Sequence, residues 1–337
     1  MKVLLYTELE KKIRKSGLGK AIRHQKEALT NEHIEWTTDL KDDYDILHIN
    51  TWFLKSYRVA KKAKKKGKRI VYHAHSTEED YRDGFIFGRA TSKLVKWWLI
   101  KCYSLGDVII TPTLYSKNLL QGYKGLENKK IYDISNGINV DFFKKDPKRA
   151  AAFRKTYGFK KDDKVVIAIG LYIRRKGIVD FVELARRMPE YKFVWFGFSP
   201  LSAATKDVRK AVNTKLPNLI WAGYVENDKI RDAMLGADLY LFPTLEETEG
   251  IPIIEACAAR RDAIVRDIPI FDGWLEDGVN MYKAKDVDEF EKKIKGILSG
   301  ELPSLADKAY EVAVERDLKT VGKKLHAVYD EVMKIEK

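Results

Sequence analysis

The sequence has 337 residues, 45% of them hydrophobic, which is enough for two ordinary cores and favours two domains over one. No apolar run approaches the roughly 18 residues of a membrane-spanning helix, and Met1–Tyr6 is too short for a signal peptide. The two cysteines lie far apart, which indicates neither a disulfide framework nor a metal site and favours a reducing cytoplasm.

The net charge of +14 is concentrated in the first part of the chain. Residues 1–142 hold 27 Lys and Arg against 17 Asp and Glu, whereas the remaining residues hold 36 against 32. Such an excess indicates an anionic partner, which can be nucleic acid, a lipid surface or a phosphorylated substrate.

Short apolar runs alternate with longer helical patterns in residues 1–142. This alternation predicts a parallel, doubly wound α/β sheet. The predicted strands are Val3–Tyr6, Ile46–Ile49, Arg69–Tyr72, Val108–Thr111 and Ile131–Ile134, and the predicted helices include Lys20–Leu29 and Ser92–Ser104.

A short glycine loop, Ser16–Lys20, follows the first strand and opens a helix. Gly17 and Gly19 would let a phosphate approach the backbone closely, although a Gly-x-Gly of this kind is often only a turn. Both glycines are therefore candidate ligand contacts.

A histidine pair follows the predicted strand Arg69–Tyr72. His75 lies at the carboxyl end of that strand, where parallel sheets bind ligands, and is a candidate substrate contact. His73 and His48 are expected to be structural. No third ligand is evident beside the pair, so no metal site is predicted.

Two basic segments of the first domain predict a surface for a membrane or a lipid acceptor. Basic helices that carry Trp favour the headgroup level of anionic bilayers, whereas lysine runs alone are usually solvated helix ends. The residues of the predicted surface are Lys61, Lys62, Lys64, Lys65, Lys66, Lys93, Lys96, Trp97 and Trp98.

The second part of the chain repeats the alternation of strands and helices. A charged segment at 141–164 marks the boundary, so the predicted domains are 1–142 and 143–317, with a last helix at about 318–337. The predicted strands are Val165–Ile169, Phe193–Phe196, Leu219–Ala222, Leu239–Phe242 and Ala263–Val265, and the helices include Ile178–Met188 and Asn227–Leu235.

A cationic loop, Gly170–Gly177, follows the first strand of this second domain. A strand that ends in Gly and leads through cations into a helix suits phosphate binding, whereas the alternative is a basic surface loop. Lys176 is the predicted phosphate contact, and either Arg174 or Arg175 is a candidate second contact.

Pro243–Ala256 is the most informative segment, because Glu247 and Glu255 stand in it with seven residues between them. The helix that begins near Gly250 offers the backbone N–H groups of Gly250 and Ile251, which favour an anion. Taken alone, the carboxylate pair has a second interpretation, an acidic turn before a helix-start Glu.

This Glu-x7-Glu segment resembles the signature of retaining, nucleotide-sugar-dependent glycosyltransferases of family 4. The resemblance implies the GT-B fold, with two Rossmann-like domains that face a cleft and a C-terminal helix that crosses back to the first. It implies that Glu247 and His75 contact the donor hexose and that Glu255 binds the ribose. Lys176 matches the Lys of the family's diphosphate clamp, whereas Leu171 replaces its Arg.

The finer resemblance is to bacterial glycosyl-diacylglycerol synthases, and it rests on Thr248-Glu249 in place of Gly-Phe and on His75–Asp80. It implies retaining hexosyl transfer from UDP-glucose or UDP-galactose to monoglucosyl-diacylglycerol, without a metal, by a peripheral enzyme on the inner face of the cell membrane. The predicted catalytic residues are Glu247, His75 and Lys176, and the predicted donor-binding residues are Glu255, Gly250, Ile251, Gly17, Gly19 and Arg175.

Three alternatives stay open. A glycosyltransferase of the same family could act on a polysaccharide or a teichoic-acid precursor. A different class is a basic protein that binds nucleic acid or a membrane without catalysis, although no RNA-binding or helix-turn-helix pattern is evident. A third is a scaffold that has lost catalysis, which Leu171 in place of Arg makes worth testing.

Overall fold

The computed structural model describes residues 1–82 and 88–335 and divides into two compact units. The first unit contains Met1–Arg82 and Ala90–Asn139 and is completed by the residues from Arg316 onward, whereas the second is built from Val140–Glu315. Each unit has its own six-stranded sheet.

Strands and helices alternate along almost the whole described chain. The strands are β1 (Lys2–Tyr6), β2 (Glu35–Thr37), β3 (Ile46–Ile49), β4 (Arg69–His73), β5 (Val108–Thr111), β6 (Lys130–Asp133), β7 (Val165–Ile169), β8 (Lys192–Phe196), β9 (Leu219–Gly223), β10 (Leu239–Phe242), β11 (Ala263–Arg266) and β12 (Tyr282–Ala284). The helices are α1 (Glu10–Ile13), α2 (Gly17–Asn31), α3 (Leu54–Lys65), α4 (Glu78–Arg82), α5 (Gly88–Tyr103), α6 (Leu114–Gln121), α7 (Pro147–Thr156), α8 (Ile178–Arg187), α9 (Lys206–Val212), α10 (Asn227–Gly236), α11 (Ile251–Ala258), α12 (Val287–Ser299), α13 (Ala306–Glu315) and α14 (Leu318–Lys334). Short 3-10 turns occur at Val140–Phe143, Arg174–Lys176, Leu201–Ala203 and Pro269–Phe271.

The first unit has the strand order β2-β1-β3-β4-β5-β6, and every neighbouring pair is parallel. Helices cover both faces, so the strands are apolar on both sides. Alternate residues of β1 show this, because Leu4 packs in one core cluster with Leu99 and Val3 packs in another with Leu325. Burying each such side chain contributes about 1.5–3 kcal/mol.

The C-terminal helix α14 belongs to the first unit, as the predicted fold requires. It packs against α2, with Gly322 against the Ala28 backbone, and it buries Leu325, Val328 and Tyr329 in the core of this unit. The predicted return of the last helix to the first domain is therefore confirmed.

The second unit has the strand order β12-β11-β10-β7-β8-β9, again with parallel neighbours. The strand order reverses between β7 and β10, which lie side by side at the centre of the sheet. In sheets of this kind the ligand crevice lies at the carboxyl ends of the strands where the order reverses.

The ten predicted strands are confirmed to within one residue at each end, and the two-domain α/β class is confirmed with them. The prediction missed β2 and β12, which have three residues each and lie at the sheet edges. Edge strands of this length carry no apolar run, because β2 is only partly buried, so the sequence pattern gave no signal for them.

Candidate functional site

The carboxyl ends of β7 and β10 bring the predicted cationic loop and the predicted acidic segment together. Gly177 has a φ of +73°, and a Cβ there would lie 2.1 Å from the Pro243 carbonyl oxygen, so only glycine allows this approach. The backbone N–H of Leu245 donates to the Arg175 carbonyl at 2.7 Å. The 3-10 turn at Arg174–Lys176 is thus fixed beside the loop that holds Glu247.

Glu247 lies between two cations. Lys176 Nζ donates to Glu247 Oε2, and Arg175 Nη1 lies 3.7 Å from Oε1 of the same carboxylate. Arg175 also donates to the Glu246 carbonyl at 2.6 Å, which fixes its guanidinium. The three side chains are only 12–14% exposed, so this cation–carboxylate cluster is held by charge in a largely desolvated position.

The charge state of Glu247 follows from these neighbours. Burial acts to raise the pKa of Glu247, but the charges of Lys176 and Arg175, with hydrogen bonds from Lys176 and the Thr248 N–H, lower it from 4.5 to about 2. Glu247 is therefore a carboxylate at neutral pH. A carboxylate beside two cations can orient hydroxyl groups while the cations meet an anion.

A second charged pair, Arg266 and Asp180, holds the loop that follows β10. Arg266, at the end of β11, donates through Nε to the Pro243 carbonyl at 3.2 Å and through Nη2 to Asp180 Oδ2. Arg266 is 6% exposed, so the guanidinium is a buried clamp on the loop that follows β10. Arg266 was not predicted from the sequence, although an arginine at the end of a buried strand is a signal for such a role.

The second predicted carboxylate, Glu255, lies inside α11 and is buried. Gly250 is the residue that caps this helix, with a φ of +88°, and Ile251 is its first residue. Burial and the charges of Glu255 and Glu247 raise the pKa of Tyr240, which places this β10 residue in the electrostatic field of both carboxylates. The start of α11 lies at the end of β10, because a Cβ on Gly250 would approach the Phe242 ring to 3.0 Å.

The two candidate arginines have different surroundings. Arg174 is 70% exposed and its Nε lies 3.3 Å from Asp207, whereas Arg175 is only 13% exposed and lies against Glu247. Leu171, at the position of the family's arginine, is exposed. Among the residues that the structure describes, Arg175 is therefore the arginine beside Lys176 and Glu247.

The predicted glycine loop of the first unit forms the start of α2. Ser16 caps this helix by accepting from the Gly19 N–H at 3.3 Å. Gly19 lies against the Ile13 carbonyl, where a Cβ would approach to 2.4 Å, whereas Gly17 borders open space. Close packing is thus sufficient to explain Gly19, and the phosphate contact of both residues stays a prediction.

His75 lies just beyond β4, at the carboxyl end of that strand, and is partly exposed. Its Nε2 lies 3.0 Å from Asn50 Oδ1, and its ring stacks on His73 with centroids 3.9 Å apart. Burial lowers the pKa of His75 to about 3, so the ring is neutral at pH 7. A neutral imidazole offers one donor and one acceptor to its neighbours.

The predicted basic segments lie on α3 and α5, whose exposed residues are hereafter called the α3–α5 surface. Trp97 and Leu94 are 49% and 64% exposed, and Lys101 Nζ lies 4.1 Å from the centre of the Trp97 ring. Trp98 instead donates to the Trp52 carbonyl at 2.7 Å and packs on Tyr57 of α3, with ring centroids 5.1 Å apart.

The lysines of this surface separate into two groups. Lys61 Nζ lies 5.6 Å from the centre of the Tyr57 ring, which belongs to the same helix α3. Lys96 Nζ lies instead over Tyr123, at 4.0 Å. The exposed lysines of the predicted set are Lys61, Lys62, Lys64, Lys65, Lys66 and Lys93. None of the helices in residues 1–82 and 88–335 is long and apolar enough to span a membrane.

The polar residues around His75 were also not predicted from the sequence. Asn50 follows β3 as His75 follows β4, so its position after a buried strand was a usable signal. Gln25 interrupts the apolar face of α2 formed by Ala21, Ile22 and Ala28, and it is buried. A polar residue on an apolar helix face indicates a buried hydrogen-bond partner.

Comparisons with known proteins agree with this architecture. Residues 150–316 match the family described as "Glycosyl transferases group 1", and residues 25–142 match "Glycosyltransferase Family 4". The chain is 39% identical, over 337 residues and the full length of both proteins, to a processive diacylglycerol alpha-glucosyltransferase of Acholeplasma laidlawii. It is 23% identical to an alpha-galactosylglucosyldiacylglycerol synthase of Streptococcus pneumoniae, over 71% of this chain and 65% of that protein.

A solved structure extends the similarity to the fold. The Anabaena protein Alr3699/HepE, in complex with UDP and glucose, superposes with a TM-score of 0.76 over 98% of this chain and 99% of its own, at 17% identity. At this identity the likeness shows the fold alone.

Fold and sequence together define a glycosyltransferase of the GT-B class, with two Rossmann-like domains. The chain belongs to Glycosyltransferase Family 4. The resemblance to that family, and within it to glycosyl-diacylglycerol synthases, is thereby confirmed, and so is the prediction that the protein is an enzyme.

Proposed function

We propose that the protein transfers glucose from UDP-glucose to monoglucosyl-diacylglycerol, with retention, at an anionic membrane surface. The observation that carries the donor side is the cation–carboxylate cluster of Lys176, Arg175 and Glu247 at the reversal point of the second sheet. Similarity to a diacylglycerol alpha-glucosyltransferase over the full chain favours glucose over galactose and a lipid acceptor over a soluble one.

The proposed donor-binding roles in the second unit are assigned by the charges of its side chains. Lys176 and Arg175 bind the donor diphosphate, with the backbone N–H groups of Gly250 and Ile251 as further donors at the start of α11. Glu247, kept as a carboxylate by the same cations, orients the hexose, and Glu255 binds the ribose hydroxyls. From the first unit, Gly17 and Gly19 approach the diphosphate and His75 accepts a hydrogen bond from a hexose hydroxyl.

The proposed chemistry is a front-side displacement. The acceptor hydroxyl oxygen bonds to the anomeric carbon on the face from which UDP departs, the bond from that carbon to the diphosphate oxygen breaks, and the hydroxyl proton passes to the departing phosphate. Negative charge grows on the leaving group, so Lys176 and Arg175 stabilise the transition state more than the ground state. Lys176 and Arg175 supply the positive charge that the departure of UDP needs, and we propose that no metal ion is required.

The α3–α5 surface is the proposed membrane contact. Exposed Trp97 and Leu94 supply apolar insertion, and the lysines attract anionic headgroups at about 1 kcal/mol each near the surface. Because this surface suits an anionic lipid surface, the inner, cytoplasmic face of a cell membrane is the proposed site of action.

The experiment that tests the function is a transfer assay on vesicles that contain anionic lipid and monoglucosyl-diacylglycerol. UDP-glucose and UDP-galactose are compared, with and without EDTA, and the anomeric configuration of the product is read by NMR. We expect α-linked diglucosyl-diacylglycerol from UDP-glucose, unchanged by EDTA. Transfer to soluble polysaccharide or teichoic-acid precursors, with none to the lipid, would overturn the proposed acceptor.

Vesicle binding tests the membrane contact separately. Trp97→Ser should raise the apparent Kd for anionic vesicles about tenfold. The substitution removes an aromatic side chain whose burial in the membrane contributes more than about 1 kcal/mol of binding free energy. Phe198→Ser is the matched control, since Phe198 is an equally exposed aromatic residue of the second unit. An equal loss in both variants, or stronger binding to nucleic acid than to vesicles, would exclude the α3–α5 surface as the docking site.

A further inference from the structure

The first unit holds a connected set of neutral polar side chains behind His75, hereafter the histidine network. Apart from His75 itself, each member is at most 5% exposed. They come from α2, β3, the end of β3, β4 and the C-terminal helix α14. The members are Gln25, His48, Asn50, His73, His75 and Tyr329.

The hydrogen bonds of the network run in one direction. Asn50 Nδ2 donates to Gln25 Oε1 at 2.8 Å, so the Gln25 amide nitrogen is the group that faces His48 Nε2, at 2.7 Å. An amide NH2 group only donates, and His48 Nε2 must therefore accept. The His48 proton then lies on Nδ1, which donates to Tyr329 Oη at 2.6 Å.

The tautomers of the other two rings are fixed in the same way. His73 Nδ1 lies 3.2 Å from the unprotonated His48 Nε2, so His73 carries its proton on Nδ1. The Asn50 oxygen faces His75 Nε2 at 3.0 Å and can only accept, so the His75 proton lies on Nε2. His75 Nδ1 is then an acceptor, and no described residue of the chain occupies it with a hydrogen bond.

The three rings are neutral, as this argument requires. Burial lowers the pKa of His48 to about 3, and burial with the neighbouring His75 and His48 lowers the pKa of His73 well below its usual value. A neutral ring in a fixed tautomer presents one known group to a ligand, whereas a ring free to exchange tautomers presents two.

We propose that Asn50 is a positioning residue that, backed by Gln25, His48 and Tyr329, holds His75 as the Nε2–H tautomer and leaves Nδ1 to accept a hydrogen bond from a sugar hydroxyl. The sugar contact rests on the proposed function, whereas the tautomer does not. The C-terminal helix α14 takes part in the network, because its Tyr329 accepts the last hydrogen bond of the series.

The tautomers are tested on the unmodified full-length protein. Ring 15N–1H correlation spectra at pH 7, with resonances assigned by single His→Gln substitutions, separate Nδ1–H from Nε2–H rings. The exposed His326 serves as the control for a ring outside the network. We expect Nδ1–H at His48 and His73 and Nε2–H at His75. The reversed pattern, or a charged His75, would overturn the proposal.

A double-mutant cycle tests whether Asn50 acts through His75. Asn50→Ala should lower kcat about tenfold when His75 is present, because it removes the acceptor of a partly buried N–H. In a His75→Ala background the same substitution should change kcat less than twofold. An equal loss in both backgrounds would show that Asn50 acts on the fold and not on His75.

The outcomes separate this proposal from the proposed function. If His75→Ala transfers glucose at the wild-type rate while Lys176→Ala does not, the sugar contact is wrong and the donor site stands. If neither the wild type nor any variant transfers glucose to lipid, the function is wrong, and the ring spectra still decide whether Asn50 fixes the His75 tautomer.

Discussion

The two units place polar side chains at the carboxyl ends of their strands, but they hold those side chains by different physical means. In the second unit Glu247 is held by the charges of Lys176 and Arg175. In the first unit His75 is held by Asn50 through a hydrogen bond between neutral groups, and further neutral groups support Asn50.

The difference matches two kinds of ligand. The cluster carries two cations and one carboxylate, so an incoming diphosphate meets a net positive charge. A sugar hydroxyl carries no charge, and its recognition depends on where donors and acceptors point. A neutral network with fixed tautomers supplies that direction at little electrostatic cost.

The largest effect is expected in the charged cluster. Lys176→Ala should lower kcat/KM on the order of a thousandfold, because it removes a cation aimed at the charge that develops on the leaving diphosphate. The measurement is the vesicle transfer assay, with circular dichroism and vesicle binding as checks on the fold. If Asn50→Ala costs as much as Lys176→Ala, the contrast between the two units is wrong.

The next effect separates the two adjacent arginines. Arg175→Ala should raise the KM for UDP-glucose about thirtyfold, since a hydrogen bond to a charged group is worth about 1.5–3 kcal/mol. Arg174→Ala is the matched control and should stay within about twofold, because Arg174 is exposed and paired with Asp207. The opposite ranking would assign the second phosphate contact to Arg174.

Sequence reasoning reached the charged cluster more completely than the neutral network. Lys176, Glu247 and Glu255 follow apolar strands in recognisable motifs, and the structure gathers them around β7 and β10. The choice of Arg175 over Arg174 needed coordinates, because the 3-10 turn sends one side chain toward Glu247 and its neighbour toward solvent.

The histidine network was less predictable for a physical reason. One of its hydrogen bonds joins residues 281 positions apart in sequence, His48 and Tyr329, and neutral residues carry no charge pattern to search for. His48 and His73 were expected to be structural, and their burial agrees with that expectation. The edge strands β2 and β12 were missed for a related reason, since three residues are too few to make a periodic signal.

Acid stability gives a third test of the contrast. The folded-state pKa of His48 is lowered from 6.5 to about 3, so below pH 6.5 the unfolded chain binds a proton that the folded chain does not. Stability is therefore lost as the pH falls, by about 1.4 kcal/mol per pH unit for each such histidine. For Glu247, with its pKa lowered from 4.5 to about 2, the loss begins only near pH 4.5.

The two pH ranges in which stability is lost, one for His48 and one for Glu247, can be separated by substitution. Between pH 6.5 and 5, His48→Gln should reduce the slope of the free energy of unfolding by about one proton, whereas Glu247→Gln should leave it unchanged. Hydrogen exchange of peptides from β3 and β4 reports the first unit, and peptides from β7 and β10 report the second. If Glu247→Gln changes the slope of the free energy of unfolding against pH above pH 5, the charged cluster also controls acid stability in this range.

The smallest effect on catalysis is expected from Tyr329→Phe. The phenol lies four hydrogen bonds from His75, through His48, Gln25 and Asn50, so its loss should reduce kcat only about threefold. The same change leaves the buried His48 Nδ1–H without an acceptor and should cost about 1–3 kcal/mol of stability. A stability loss with unchanged kcat and an unchanged His75 tautomer would limit α14 to packing, whereas a change in the His75 ring spectrum would show that the C-terminal helix sets the direction of hydrogen bonding at the candidate sugar contact.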